Sequence, residues 1–234
     1  MKPFVMFGVH PLLGDYVDAI HASGGYLSRV VLNVQEPERP PGASFREGLE
    51  RYHQWRLSRG MPGRVEVLWL DDYQPKADEV PLLGFRGTKA DPLIRILKEK
   101  YSVAFPPLIH PTAYISAMAA IREGVFVGAN AVIAPNADIG DFSLINRGAT
   151  IGHDAILERS VVVGPSASAA SWVRLSEGCV LGIGCTVIER IRVGAGSYVA
   201  AGAVVIKDVP PGRLVAGVPA EIKKILKPDP VQED

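Results

Sequence analysis

From residue 109 onward the apolar and small residues of the chain recur every six positions. Written in hexads, the stretch reads IHPTAY, ISAMAA, IREGVF, VGANAV, IAPNAD, IGDFSL, INRGAT, IGHDAI, LERSVV, VGPSAS, AASWVR, LSEGCV, LGIGCT, VIERIR, VGAGSY, VAAGAV and VIKDVP, seventeen units with no slip in register. Sixteen of the first positions are Ile, Val or Leu, with Ala169 alone departing, and every fifth position is Ala, Ser, Cys, Val or Ile. Self-similarity of this kind marks a repeat architecture. A period of six matches neither the helical 3.6 nor the strand period of 2; it fits a chain that makes a short strand, turns and makes another. The large first residue then points inward and the small fifth residue fits a crowded corner. Glycine, asparagine and aspartate between them accept the turn conformations.

The first hundred residues carry a different pattern. PFVMFG reads as a buried strand, LLGDYVDAIHA as a helix and SRVVLNV as a second strand, a βαβ opening, with further strands at VEVLWL and VPLLGF. The EPERPPGA stretch is a loop. Ser44 with Glu47 three residues on forms a capping-box pattern ahead of a helix from about 45 to 58. ADPLIRILKEKY predicts another helix, with Asp91 as N-cap and Pro92 in the first helical position. The boundary between the two patterns falls near Phe105, which gives residues 1–105 to a small Rossmann-like α/β domain and 106–234 to the repeats. After the repeats, KDVPPGRLVAGVPAEIKKILKP predicts a proline-rich exit and then a short amphipathic helix.

Composition narrows the functional classes. Lys plus Arg equals Asp plus Glu, 25 of each, with no long run of one sign, which leaves no basic footprint for nucleic acid. The apolar run at the N-terminus is broken within a few residues by glycine, proline and aspartate, too short for a membrane span or signal peptide, so a cytoplasmic protein is expected. Two cysteines, Cys179 and Cys185, form no Cys-x-x-Cys motif and read as buried free thiols rather than a disulfide or zinc site.

These hexads resemble the hexapeptide-repeat family, whose fold is a left-handed parallel β-helix of three hexads per coil. That handedness is implied by the resemblance, since general crossover rules favour the right. Coils of eighteen residues stack positions 18 apart at roughly 4.8 Å, the spacing of paired strands. With the α/β leader, the LIHPTAYI entry and the GVPAEI ending, the chain resembles the sugar acetyltransferases that modify sialic acid or amino-bacillosamine. The resemblance implies an enzyme that moves an acetyl group from acetyl-CoA to an amine or hydroxyl of a sugar or nucleotide-linked sugar, working as a homotrimer.

Within that frame His153, third in its hexad, is the general base, with Asp154 beside it to orient the ring and Asn146 seven residues earlier to position the acceptor or a water. Read from position alone, His153 is an exposed turn residue before it is a base. Imidazole suits the chemistry because it titrates near the working pH. Counting eighteen residues on places Ser171 and Trp172 one coil beyond it, where the resemblance puts the thioester and small residues, usually glycine. Trp172 departs from that pattern, as does Val162, which stands where related enzymes often carry a second histidine. Ile183, Ala201 and Lys207 fall at positions that line the coenzyme A channel and its nucleotide end, with the turn Gly217 to Ala220 nearby. In the leader the resemblance implies substrate contacts at Gly8, His10 and Asn33, although Asn33 and Val34 replace an expected acidic pair; the bland alternative for this domain is a cap on the solenoid end. Two other functions stay open. A zinc enzyme of the same scaffold needs three histidines, but only His110 and His153 lie in the repeats, more than two coils apart. A catalytically impaired trimeric scaffold is the other, supported by Val162 and Trp172.

Overall fold

A computed structural model of the chain describes residues 1–8, 13–36, 44–61, 63–84 and 87–226. The chain divides into two compact units, Met1–Phe85 with Lys89–Pro111, and Arg86–Thr88 with Thr112–Asp234.

The first unit is built on a four-stranded parallel sheet. Its strands are β1 (Lys2–Phe7), β2 (Gly25–Leu32), β3 (Glu66–Trp69) and β4 (Val80–Leu83), in the order β3-β2-β1-β4. Central β1 is apolar on both faces, with Phe4 through Phe7 all buried, as a parallel strand covered on both sides requires. Helices α1 (Leu13–Ala22) and α2 (Phe45–Ser58) are joined by a hydrogen bond of 2.8 Å between His21 Nε2 and the Tyr52 hydroxyl. The capping box at Ser44 and Glu47 forms as the sequence predicts, and Glu36 adds a second carboxylate that accepts from Phe45 N–H. A buried ion pair crosses the unit, where Arg29 Nε donates to Glu79 Oε1 over 2.6 Å. Helix α3 (Asp91–Tyr101) corrects one expectation: its N-cap is Ala90, not Asp91. The 3-10 turn Thr88–Ala90 runs straight into the helix, so Ala90 is already in the right-handed helical region and Asp91 occupies the first turn, where its charge still complements the helix dipole.

The second unit is the left-handed parallel β-helix that the hexads imply. Each two-residue strand straddles a hexad boundary, pairing a sixth residue with the next first residue. One face stacks Tyr114–Ile115, Val132–Ile133, Thr150–Ile151, Ser168–Ala169, Thr186–Val187 and Val204–Val205. The second stacks Ala120–Ile121, Asp138–Ile139, Ile156–Leu157, Arg174–Leu175 and Arg192–Val193, and the third carries Phe126–Val127, Leu144–Ile145, Val162–Val163, Val180–Leu181 and Tyr198–Val199. Partners are eighteen residues apart throughout, as in Thr150 opposite Ser168 and Ile156 opposite Arg174. First positions such as Ile151, Leu157, Val163 and even Ala169 fill the interior. Each fully buried Leu or Val there contributes about 1.5–3 kcal/mol. Fifth positions are closed in as well: Ala131, Ala149, Ala155 and Ala167 are wholly buried, leaving no room for a larger side chain.

The fourth positions explain the polar half of the repeat. From Gly124 to Gly202 every one of them has a left-handed φ, between 54 and 67°. Glycine, asparagine and aspartate adopt that conformation at little cost, which is why they recur there.

The exit from the repeats differs from the expected helix. Arg213–Ala216 instead adds a parallel strand beside Tyr198–Val199, and Glu221–Ile225 folds back antiparallel onto it. The last coil presents an edge of unpaired backbone groups, and strand addition satisfies them. A helix confined to the few residues between Pro219 and Pro228 is too short to be stable by itself and offers no comparable gain.

Candidate active site

His153 sits in the corner that follows the strand Thr150–Ile151. Ile151 and Ala155 are buried and pin the hexad at both ends, so the residues between them must bulge outward. Gly152 is required by a close approach of the next coil: a Cβ there would lie 2.5 Å from Ser171 N and 2.6 Å from Ala170 C. The His153 side chain that follows is 45% exposed.

Asp154 takes the left-handed turn with φ 57° and directs its carboxylate back to the ring. Its Oδ2 lies 2.7 Å from His153 Nδ1, and its Oδ1 accepts from Asn136 Nδ2 over 3.1 Å, one coil below. The hydrogen bond from His153, and after it that from Asn136, holds the Asp154 carboxyl below the usual carboxylate range. An ionised Asp154 accepts, so the proton belongs on Nδ1, and the lone pair of Nε2 has no protein partner among the described residues.

On the other side of the ring stands Trp172, one coil beyond Asp154. The two rings meet edge to face, centroids 4.5 Å apart at 85°, and the Trp172 N–H donates to His153 O over 3.1 Å. The Arg190 guanidinium, a further coil on, lies 4.5 Å from the indole centroid. Ser171, adjoining Trp172, has a backbone N–H with no acceptor among the described residues.

The residues singled out in the sequence divide between two corners. His153, Asp154, Ser171 and Trp172 come together, and Lys207, exposed, stands two coils beyond Ser171 in the same column. Asn146 does not join them in this chain. It follows a different face, is buried, and turns its Oδ1 onto the Arg147 N–H at 2.7 Å. Ile183 and Ala201 stack one above the other in the corner that contains Arg147, and both are exposed. Asn136 and Arg190 were not singled out, yet the eighteen-residue step from Asp154 and Trp172 leads to both.

In the α/β unit, Gly8 closes β1 with φ 82° and donates to Val31 O, and Asn33 follows β2 with a buried Oδ1 that has no partner among the described residues. His10 lies outside the described residues. A cleft of about 270 Å³ opens beside the carboxyl ends of β2 and β3, lined by Leu32, Gln35, Glu36, Phe45, Arg46 and Trp69 among others. A larger one of about 370 Å³ runs between α1 and α2, away from those strand ends. Ligands of open α/β sheets bind outside the carboxyl ends of the strands, so the smaller cleft is the better placed. Among the described residues no group of three or more His, Cys, Asp and Glu is arranged to hold a metal, and no helix is long and apolar enough to cross a membrane.

Comparison with known proteins bears on this geometry. Residues 103–208 match the family model described as the GMPPB C-terminal domain. A 2,3,4,5-tetrahydropyridine-2,6-dicarboxylate N-acetyltransferase of Staphylococcus aureus is 45% identical over 56 residues, 24% of this chain, and the match spans only 23% of that relative's length. Solved structures align over nearly the whole chain. A variant of perosamine N-acetyltransferase from Caulobacter crescentus, in complex with CoA and GDP-perosamine, aligns with a TM-score of 0.75 at 24% identity, over 96% of this chain and 98% of that one. The acetyltransferase domain of PglB from Neisseria gonorrhoeae, with acetyl coenzyme A, gives 0.75 at 23% identity over 95% and 99% of the two chains. WeeI from Acinetobacter baumannii gives 0.73 at 18%, over 95% and 100%. In fold, from the α/β unit through the last coil, the chain is a hexapeptide-repeat protein built like the perosamine N-acetyltransferase and the PglB acetyltransferase domain.

Proposed function

We propose that this chain transfers an acetyl group from acetyl-CoA to an amine or hydroxyl of a nucleotide-linked sugar, with His153 as general base. The observation that carries the reading is the imidazole of His153, held at Nδ1 by an ionised Asp154, with no partner among the described residues for Nε2 or for the Ser171 N–H one coil away. The perosamine enzyme bound to CoA and a GDP-sugar, and the PglB domain bound to acetyl coenzyme A, supply the substrate classes.

His153 Nε2 takes the proton of the acceptor as its nitrogen or oxygen bonds to the thioester carbonyl carbon. Asp154 stabilises the imidazolium that forms. Ser171 N–H is suited to hold the developing oxyanion, a contribution worth roughly 3–4 kcal/mol for one such donor. Trp172 N–H is engaged with His153 O and does not share that task. His153 then returns the proton to the departing thiolate as the C–S bond breaks, which restores the neutral base.

The division of candidate residues between two corners supports a homotrimer. A groove between neighbouring copies would set Asn146, Ile183 and Ala201 of one chain against His153 and Ser171 of the next. Asn33, whose Oδ1 has no partner among the described residues, and the cleft at the ends of β2 and β3 suit the nucleotide part of the acceptor. Free buried thiols and soluble substrates of this kind fit the cytoplasm.

Calorimetric titration with acetyl-CoA and a coupled thiol-release assay over a panel of nucleotide-linked amino sugars test the proposal. Micromolar binding is expected, with transfer lost and binding kept in His153→Ala. Binding absent at high micromolar acetyl-CoA, or transfer undiminished in His153→Ala, would refute it in favour of a scaffold of this fold.

A further inference from the structure

We propose that Trp172, clamped by Arg190, is a positioning residue that fixes the imidazole of His153 for proton transfer. The inference rests on the acetyl-transfer reading above and adds to it a part that neither Asp154 nor Ser171 supplies.

Trp172 stands where a tryptophan is conformationally misplaced. It occupies a left-handed turn position with φ 57°, in a column whose members one and two coils below, Asp154 and Asn136, belong to the types that tolerate that region. A bulky residue at positive φ persists only where surrounding contacts over-determine it. Burial provides them only in part, because Trp172 remains 47% exposed. Its described ring contacts are the edge-to-face meeting with His153 and the Arg190 guanidinium over the indole. Arg190 has no carboxylate within ion-pair distance among the described residues, so the indole is its described side-chain contact.

The consequence for His153 follows from its exposure. Its ring, nearly half open to solvent, is held by one side-chain hydrogen bond, at Nδ1. A single hydrogen bond fixes a point on the ring but leaves the ring free to swing about that point. The indole packed against the imidazole at 85° removes that freedom, and the backbone bond from Trp172 N–H to His153 O ties the same two residues together beneath it. Trp172 thus sets where Nε2 points, while Asp154 sets which nitrogen carries the proton.

The test uses the full-length protein with Trp172→Gly, Trp172→Phe and Arg190→Ala. Glycine suits the left-handed turn, so its melting temperature is expected to equal or exceed that of the wild type. Its kcat is expected to fall about 10- to 100-fold, the scale of a misplaced reacting group, with KM for acetyl-CoA and acceptor unchanged within about twofold. Phenylalanine should recover kcat to within about threefold, because the ring contact returns. Arg190→Ala should fall between the two. Independently of activity, NMR relaxation at the His153 ring carbons should show a rigid imidazole in the wild type and a mobile one in Trp172→Gly, with the Nδ1–H tautomer that Asp154 sets unchanged in both.

Wild-type kcat and an equally rigid His153 ring in Trp172→Gly would overturn the proposal, as would a loss confined to KM for acetyl-CoA, which would make the indole a wall of the donor channel. If Trp172→Gly fails to fold, the kcat and the ring mobility in Arg190→Ala decide by the same criteria. A wild type that transfers no acetyl group would instead refute the functional reading, and the NMR comparison would still decide whether Trp172 holds the ring.

Discussion

Gly152→Ala tests the geometry of the corner with the smallest possible change, a single methyl group. The added Cβ would meet Ser171 N at 2.5 Å, Ala170 C at 2.6 Å and Ala170 O at 2.9 Å. All three are backbone atoms of a paired coil, where Gly152 N–H donates to Ala169 O and Ala170 N–H donates to Val187 O, so none can turn aside as a flexible side chain would. An ordinary contact needs about 3.5 Å or more between such atoms. Relief therefore requires the coils to part locally by the order of 1 Å, an overpacking strain of about 2 kcal/mol. For a chain of this size that lowers the melting temperature by about 4–8 °C.

The same displacement separates His153 from Ser171, since Gly152 adjoins the first and would press on the second. A misplacement of about 1 Å between reacting groups costs on the order of 100-fold in rate. Gly184→Ala serves as the comparison. It has φ 63° and nothing within 4 Å of its added Cβ, so it carries the left-handed penalty of about 1–2 kcal/mol without the clash. Thermal unfolding followed by circular dichroism, with kcat in the transfer assay, measures both quantities. Gly152→Ala should lose activity far more than stability alone explains, whereas Gly184→Ala should lose stability with little change in kcat. A Gly152→Ala protein as stable and as active as the wild type would show that the coils do not approach as closely at this corner as the argument requires.

Three further outcomes follow from the environments of charged and reactive groups. Removing Arg29 from its pair with Glu79, both side chains about 95% buried, should destabilise the α/β unit by about 3–5 kcal/mol in urea titration; Arg122→Ala, which breaks the exposed pair with Asp138, should leave the urea midpoint of the β-helix nearly unchanged. Burial raises the Cys179 thiol, and pushes Cys185 up to about 11, so neither should react with a disulfide reagent at pH 8 until the β-helix unfolds; rapid labelling of the native protein would contradict this. Glu158 is held below its ordinary value of 4.5 by its hydrogen bond from Arg174, and Asp154 is likewise lowered by His153, so these groups add stability above the ordinary carboxylate range that is lost as pH falls through their folded values. Glu158→Gln should flatten part of that acid slope, and an unchanged slope would remove the pair from the account.

The repeat was legible because burial selects residue types directly. An interior first position accepts only Ile, Val, Leu or a close substitute, and a fifth position wedged into a corner accepts only what fits, so the hexads could be aligned without structural knowledge. The capping box at Ser44 and Glu47 was legible for a similar reason: one local hydrogen-bond pattern demands two residue types at one spacing. Misreadings arose where a remote element decides. Ala90, not Asp91, caps α3 because the preceding 3-10 turn joins the helix smoothly, and Glu221–Ile225 becomes a strand because the last coil offers an edge. Asn146 illustrates a third limit. Its spacing from His153 is fixed by sequence, but seven residues carry it around a corner to another face of the prism.

The fourth positions show how a departure from pattern can be read once the fold is known. Between Gly124 and Gly202 three of these left-handed positions hold bulky side chains, Phe142, Trp172 and Arg190. Phe142 has a packing explanation: it is 3% exposed, lies against Gly124, where any Cβ would strike its ring at 2.4 Å, and carries Arg159 over its face at 5.2 Å. Burial of a whole aromatic ring, at about 25 cal/mol per Å², readily exceeds the cost of one left-handed residue. Trp172 is compensated less completely, since nearly half its surface remains in water. Its described ring contacts are with His153 and Arg190. Arg190, strained in its turn at φ 63°, is accounted for by Trp172 beneath it. The two unfavourable positions therefore lead, one through the other, to a single beneficiary, the imidazole that the resemblance to sugar acetyltransferases had marked.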